Sequence, residues 1–106
     1  MITLIESPLF TKLWPDYWSE DERGEFSAWL AANPDAGDVV RGSGGIRKVR
    51  WRRQGQGKRG GVRVIYFTES SQGLIWLLTI YTKSNKENIP PHILKALKEE
   101  LINSYE

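Results

Sequence analysis

Cysteine is absent from the 106 residues, and histidine and methionine occur once each. Without thiols there is no disulfide framework, no thiolate metal site and no cysteine nucleophile. The single histidine, His92, cannot build a His-rich metal site. No Ser/His/Asp or Cys/His set can be assembled from what remains. No apolar run approaches 18 residues, so no membrane-spanning helix is expected. The segment MITLIESPLF lacks a basic region followed by a long apolar stretch and does not read as a secretory leader. These absences suit a cytoplasmic protein with no metal and no cofactor. The most informative absence is of one charge sign: no acid lies between Arg41 and Arg63, while nine bases do.

Those bases are Arg41, Arg47, Lys48, Arg50, Arg52, Arg53, Lys58, Arg59 and Arg63, out of 15 Lys and Arg in the chain. The formal net charge of +2 hides the asymmetry, because residues 1–40 carry eight acids against two bases. Like charges repel, so such a strip is tolerated mainly where a polyanion or an acidic partner neutralises it. An acidic region beside a basic strip points towards nucleic acid without saying which. A solvated face or disordered arm would carry bare charges. Here Ile46, Val49, Trp51, Val62, Val64 and Ile65 are threaded through them, as on folded strands.

The rest of the chain reads as one domain, residues 1–106. Ile2–Ile5 is β-prone. Ser7-Pro8 is an N-cap followed by proline at the first helical position, and Leu9, Phe10, Leu13 and Trp14 form a helical stripe that Pro15 interrupts. Ser19 and Glu22 match a capping box, and Phe26, Trp29 and Leu30 share one face of the helix that follows. Asn33-Pro34 and Gly37 end it. Ile46–Trp51, Val62–Thr68 and Leu74–Thr82 then read as a three-stranded meander. The most apolar strand, Leu74–Thr82, is expected at the centre with both faces covered. The glycine-rich loop 52–61 is expected to be mobile. After Pro90-Pro91 a last helix carries Ile93, Leu94, Leu97 and Leu101 as its core stripe. The order β-α-α-β-β-β-α gives an α+β fold, an antiparallel sheet with helices packed on it.

Alternation sorts the charges. Successive strand residues face opposite sides, so Lys48 and Arg50 point away from Val49 and Trp51. Arg63 shares a face with Ile65, and Tyr81 with Lys83. Hairpin pairing can gather Lys48, Arg50 and Arg63, with Tyr81 and Lys83 on their border. Edge-strand charges that discourage aggregation are the alternative. The chemical reading is RNA cleavage by the RNA's own 2′-hydroxyl. Arginine holds phosphate through two parallel hydrogen bonds. A lysine crowded by cations titrates lower and can serve as a general base. On residues alone this is an RNA-binding face with possible nuclease activity. Gly55-Gln56-Gly57-Lys58 lacks the spacing and the following Ser or Thr of a phosphate-binding loop. Trp51 could stack on a base, but core packing is the better reading.

The segments GSGGIRKVRW, GKRGGVRVIYF and IWLLTIYTKSNKENIP resemble, in order and spacing, the RelE/HigB superfamily of toxins from bacterial type II toxin–antitoxin pairs. The Gly-Lys-Arg-Gly-Gly loop is similar to that of its HigB-like branch. The resemblance implies a microbial-RNase-like α+β fold, ribosome-dependent cleavage of translated mRNA in the A site, and translational arrest. It also implies a cognate antitoxin of helix-turn-helix type, through which operator DNA would be met only indirectly. Its catalytic positions fall on Lys48 (base), Arg50 and Arg63 (scissile phosphate) and Lys83 (leaving group). Arg47, Arg52, Arg53, Lys58 and Arg59 become docking charges for RNA, with Tyr81 beside the substrate. Some relatives have a base-stacking tyrosine where this chain has Ile89, and Tyr81 is expected to take part of that role. The alternative function is a non-catalytic RNA-, ribosome- or antitoxin-binding module.

Overall fold

The computed structural model describes residues 2–51, 61–82 and 89–105. In chain order it has β1 (Thr3–Glu6), α1 (Pro8–Leu13), a 3-10 turn (Trp14–Asp16), α2 (Glu20–Ala32), β2 (Asp38–Val39), β3 (Arg47–Trp51), β4 (Val62–Glu69), β5 (Leu74–Thr82) and α3 (Pro91–Tyr105).

Local chemistry sets the helix ends. The Ser7 hydroxyl accepts from the Phe10 amide at 2.9 Å, and Pro8 occupies the first turn, where a missing N–H costs nothing. The α-helix stops at Leu13, and Pro15 falls in the 3-10 turn after it. At the start of α2, Ser19 Oγ accepts from the Glu22 amide while Glu22 Oε1 accepts from the Ser19 amide, a complete capping box. Glu20, Asp21 and Glu22 place negative charge at the positive end of the helix dipole. Asn33 closes the other end, its side-chain amide donating to the Trp29 carbonyl.

The five strands form one sheet in the order β1-β5-β4-β3-β2. The β3-β4-β5 meander is antiparallel, as expected. Two features differ from the sequence reading. β1 pairs with β5 in parallel, from Thr3 opposite Leu74 to Glu6 opposite Leu77, so the sheet is mixed rather than antiparallel throughout. A two-residue strand, β2, pairs with Arg47 and Lys48. Hydrophobic pattern carries no strand direction, and two residues carry no period, so neither feature was legible.

Each face of the sheet has its own core. On one side α1 and α2 bury Phe10, Trp14, Trp18, Phe26 and Leu30 against Val49, Val62, Val64, Tyr66, Ile75, Leu77 and Ile80. On the other, Leu94 of α3 packs with Ile46, Ile65, Phe67, Trp76 and Leu78, with Leu101 and Ile102 at the margin. β5 is thus covered on both faces, as its composition foretold, but β4 rather than β5 is the central strand of the five. Ile93 is not part of the stripe expected for α3: it is 42% exposed, and Ile102 packs instead. The helix is rotated slightly from the face that the apolar residues alone suggest.

The segment after α2 is tied to the sheet at one close approach. The Tyr66 hydroxyl donates to the Pro34 carbonyl at 2.8 Å and accepts from the Gly37 amide at 2.9 Å. A Cβ on Gly37 would lie 2.9 Å from the Lys48 carbonyl oxygen and 3.0 Å from the Tyr66 ring, so only glycine fits. Burial pushes the Tyr66 phenol up, against the opposing pull of the Gly37 hydrogen bond and the Arg47 charge.

Candidate nucleic-acid interface

β3 presents its two sets of side chains to different surroundings. Val49 is buried against the helices, and the Trp51 ring lies 5.4 Å from Phe26 and 5.0 Å from Trp29 between centroids. Core packing, not a free stacking surface, is therefore what holds Trp51. Lys48 and Arg50, on the opposite side of the strand, are exposed.

The register lines up two rungs. Arg50 stands opposite Arg63, and Arg63 opposite Tyr81. One rung along, Lys48 stands opposite Ile65, and Ile65 opposite Thr79. Directly opposed residues bring their Cβ atoms within about 4.5–5.5 Å, so the Arg50 and Arg63 side chains leave the sheet as neighbours. Alternation puts Lys48 on the same face, one pleat away. All four of Lys48, Arg50, Arg63 and Tyr81 thus emerge on the face that α3 covers. Leu94 packs with Ile46, Ile65 and Phe67, whereas the two rung arginines are not in that core.

A β-bulge makes this arrangement possible. Ile65 pairs with Thr79 but Tyr66 pairs with Leu77, so Leu78 is an extra residue on β5. Before the bulge, Trp76 and Leu78 face α3 while Ile75 and Leu77 face α1 and α2. After it the parity is reversed: Ile80 packs on the helical-pair side and Tyr81 on the α3 side. An extra residue of this kind re-aims the side chains that follow it. Here it delivers Tyr81 to Arg63. Burial pushes the Tyr81 phenol up, and the Arg63 charge pulls it partly back. The group is a protonated hydrogen-bond donor at neutral pH.

Two other arginines, Arg23 and Arg47, are engaged within the fold. Arg23 pairs with Glu6 at 3.2 Å and lies over the Trp14 ring. Arg47 donates to the Gly37 carbonyl at 2.6 Å and the Asp35 carbonyl at 3.3 Å, with the Asp35 carboxylate 3.6 Å away. Among the described residues no such ion pair involves Lys48, Arg50 or Arg63. Two directly opposed arginines cost stability. Edge protection does not account for Arg63, because β4 is paired on both sides.

The structure therefore gathers Lys48, Arg50, Arg63 and Tyr81 and does not gather Arg47. Arg47 opposes Tyr66 and is engaged in holding the segment after α2. Its odd parity, shared with Val49 and Trp51, puts it on the other face of β3. Lys83, Arg52, Arg53, Lys58 and Arg59 lie outside the described residues. Ile89 packs at the margin of the α3 core. His92 is exposed at the start of α3. The bulge at Leu78 was not foreseen, since an apolar run such as LIWLLTI hides a change of parity.

Comparison with solved structures finds a similar fold in the free form of E. coli toxin RelE carrying two arginine-to-alanine substitutions. The TM-score is 0.62, over 92% of this chain and 96% of that one, at 14% sequence identity. The chain has the RelE fold. No protein-family model matches it. At that identity the likeness extends to the RelE fold alone.

Proposed function

We propose that this chain is the toxin of a type II toxin–antitoxin pair, of the HigB-like branch, and that it cleaves translated mRNA in the ribosomal A site. The observation that carries the reading is the Arg50–Arg63–Tyr81 rung with Lys48 beside it: a cluster of cations on a RelE fold, with none in an ion pair among the described residues.

The chemistry follows from the groups. The 2′-oxygen of one nucleotide attacks the adjacent phosphorus, and the bond to the 5′-oxygen of the next nucleotide breaks. Lys48 removes the 2′-hydroxyl proton. Arg50 and Arg63 hold the non-bridging oxygens and stabilise the charge that grows on them in the transition state. Tyr81, a protonated phenol at neutral pH, donates to the phosphate or borders the base. Lys83 delivers the proton to the leaving oxygen. Arg52, Arg53, Lys58 and Arg59 dock ribosomal RNA, so binding weakens steeply with salt. The antitoxin is an acidic-surfaced, helix-turn-helix partner that covers the basic face. The toxin acts in the cytoplasm, as one domain.

Primer extension on a reporter mRNA after induction tests this. Cuts within codons of the translated message, and none in a version lacking its ribosome-binding site, are the expected result. Salt-sensitive ribosome binding with no cuts in either message would replace the reading with a non-catalytic binding module.

A further inference from the structure

One side chain, that of Ser7, hydrogen-bonds the bulge residue Leu78 on the strand that carries Tyr81. Ser7, at the junction of β1 and α1, is 6% exposed. Its amide donates to the Leu77 carbonyl at 2.9 Å, and its hydroxyl donates to the Leu78 carbonyl at 2.6 Å. The same oxygen accepts from the Phe10 amide, capping α1. In a regular strand the carbonyls of Leu77 and Leu78 would point to opposite neighbours. Here both turn towards Ser7, which is how the extra residue is accommodated without leaving a buried carbonyl unpaired.

Position in the sheet makes this bond consequential. β1 pairs with β5 only from Leu74 to Leu77. Beyond the bulge, Thr79–Thr82 pairs with β4 alone among the described strands. Ser7 hydrogen-bonds β5 where the β1 pairing ends, just before the segment that carries Tyr81. We infer that Ser7 is a positioning residue for the cationic rung: by fixing the Leu78 carbonyl it sets the direction in which Tyr81 leaves β5 beside Arg63. The inference rests on the reading of that rung as the RNA-cleaving surface. It adds a residue from the opposite end of the chain sequence, in a segment that carries no basic side chain.

Two glycine variants separate positioning from capping. Glycine is tolerated at an N-cap with little loss, so Ser7→Gly keeps the start of α1 while removing the donor to Leu78. Ser19→Gly removes the equivalent cap of α2 and touches no part of the bulge. Both are measured as full chains, with wild type, on ribosomes programmed with a short defined mRNA. Ser7→Gly is expected to cleave roughly tenfold more slowly at saturation, as small misplacements of a positioned group do. Its half-saturating ribosome concentration should stay within about twofold, since the docking charges are unchanged. Ser19→Gly should cleave as wild type does.

An arm independent of activity reads the geometry. Nuclear Overhauser contacts between Arg63 and Tyr81 should weaken in Ser7→Gly, and the amides of Ile80–Thr82 should exchange faster, while both stay as in wild type in Ser19→Gly. Unchanged Arg63–Tyr81 contacts, or equal cleavage losses in the two variants, would overturn the inference. If wild type itself does not cleave, the toxin reading fails, and the contacts alone decide whether Ser7 positions Tyr81.

Discussion

The two faces of the sheet are built from alternate residues of the same strands, yet they are finished differently. On the α1–α2 side the core runs the length of the meander and closes over its end, where Trp51 seats against Phe26 and Trp29. On the α3 side the apolar cluster gives way to Lys48, Arg50, Arg63 and Tyr81. One face spends its whole length on burial, which holds the strands in register. The other uses that register to oppose two arginines that would separate if the strands were free to move. Even the tyrosines divide this way. Tyr66 satisfies its hydroxyl within the fold, on Pro34 and Gly37, while Tyr81 stands beside Arg63 at the edge of the open end.

The comparison predicts that damage to one face costs stability and damage to the other costs activity. Phe26→Ala should show the largest effect, since a fully buried aromatic is removed: about 3–5 kcal/mol of unfolding free energy, read from urea midpoints. Arg63→Ala comes next and on the other axis. Cleavage should fall about 10²–10³-fold, as when a group that stabilises transition-state charge is removed. Arg47→Ala tests the partition most narrowly, because Arg47 and Arg50 are three residues apart on one strand. Loss of its hydrogen bonds should lower stability by about 1 kcal/mol and leave cleavage unchanged.

Smaller effects sharpen the same division. The phenols of Tyr66 and Tyr81 are both raised, so the folded protein holds those protons to higher pH than the unfolded chain does. Stability should be indifferent to them at neutral pH and fall as pH rises past the ordinary tyrosine value near 10.0. In Tyr81→Phe the alkaline fall should be shallower, as shown by urea titrations across that range. Arg50→Gln should raise the denaturation midpoint slightly by relieving its opposition to Arg63, and added salt should erase the gain.

Much of this was legible in the chain. Helix starts are written in short-range chemistry: Ser7-Pro8 and Ser19 with Glu22 needed no tertiary information. Alternation on β3 put Lys48 and Arg50 on one exposed face, as the structure does, because the other side of that strand is apolar at Val49 and Trp51. The same rule puts Arg47 on the opposite face from them, where it donates to the Gly37 carbonyl. β5 is harder, since both of its faces are buried and its composition carries no period. The bulge at Leu78 and the Ser7 bond to it depend on a partner 71 residues away. The parallel pairing of β1 is likewise a property of the assembled sheet.

The central claim is that one face stabilises and the other acts, and Arg63→Ala beside Arg47→Ala tests it most directly. Both variants, with wild type, would be assayed for cleavage of translated mRNA by primer extension and for urea stability on the same preparations. The account predicts that Arg63→Ala is at least as stable as wild type and cuts about 10²–10³-fold less, while Arg47→Ala is less stable and cuts at the wild-type positions. Equal cleavage by wild type and Arg63→Ala, or loss of cleavage in a folded Arg47→Ala, would contradict it.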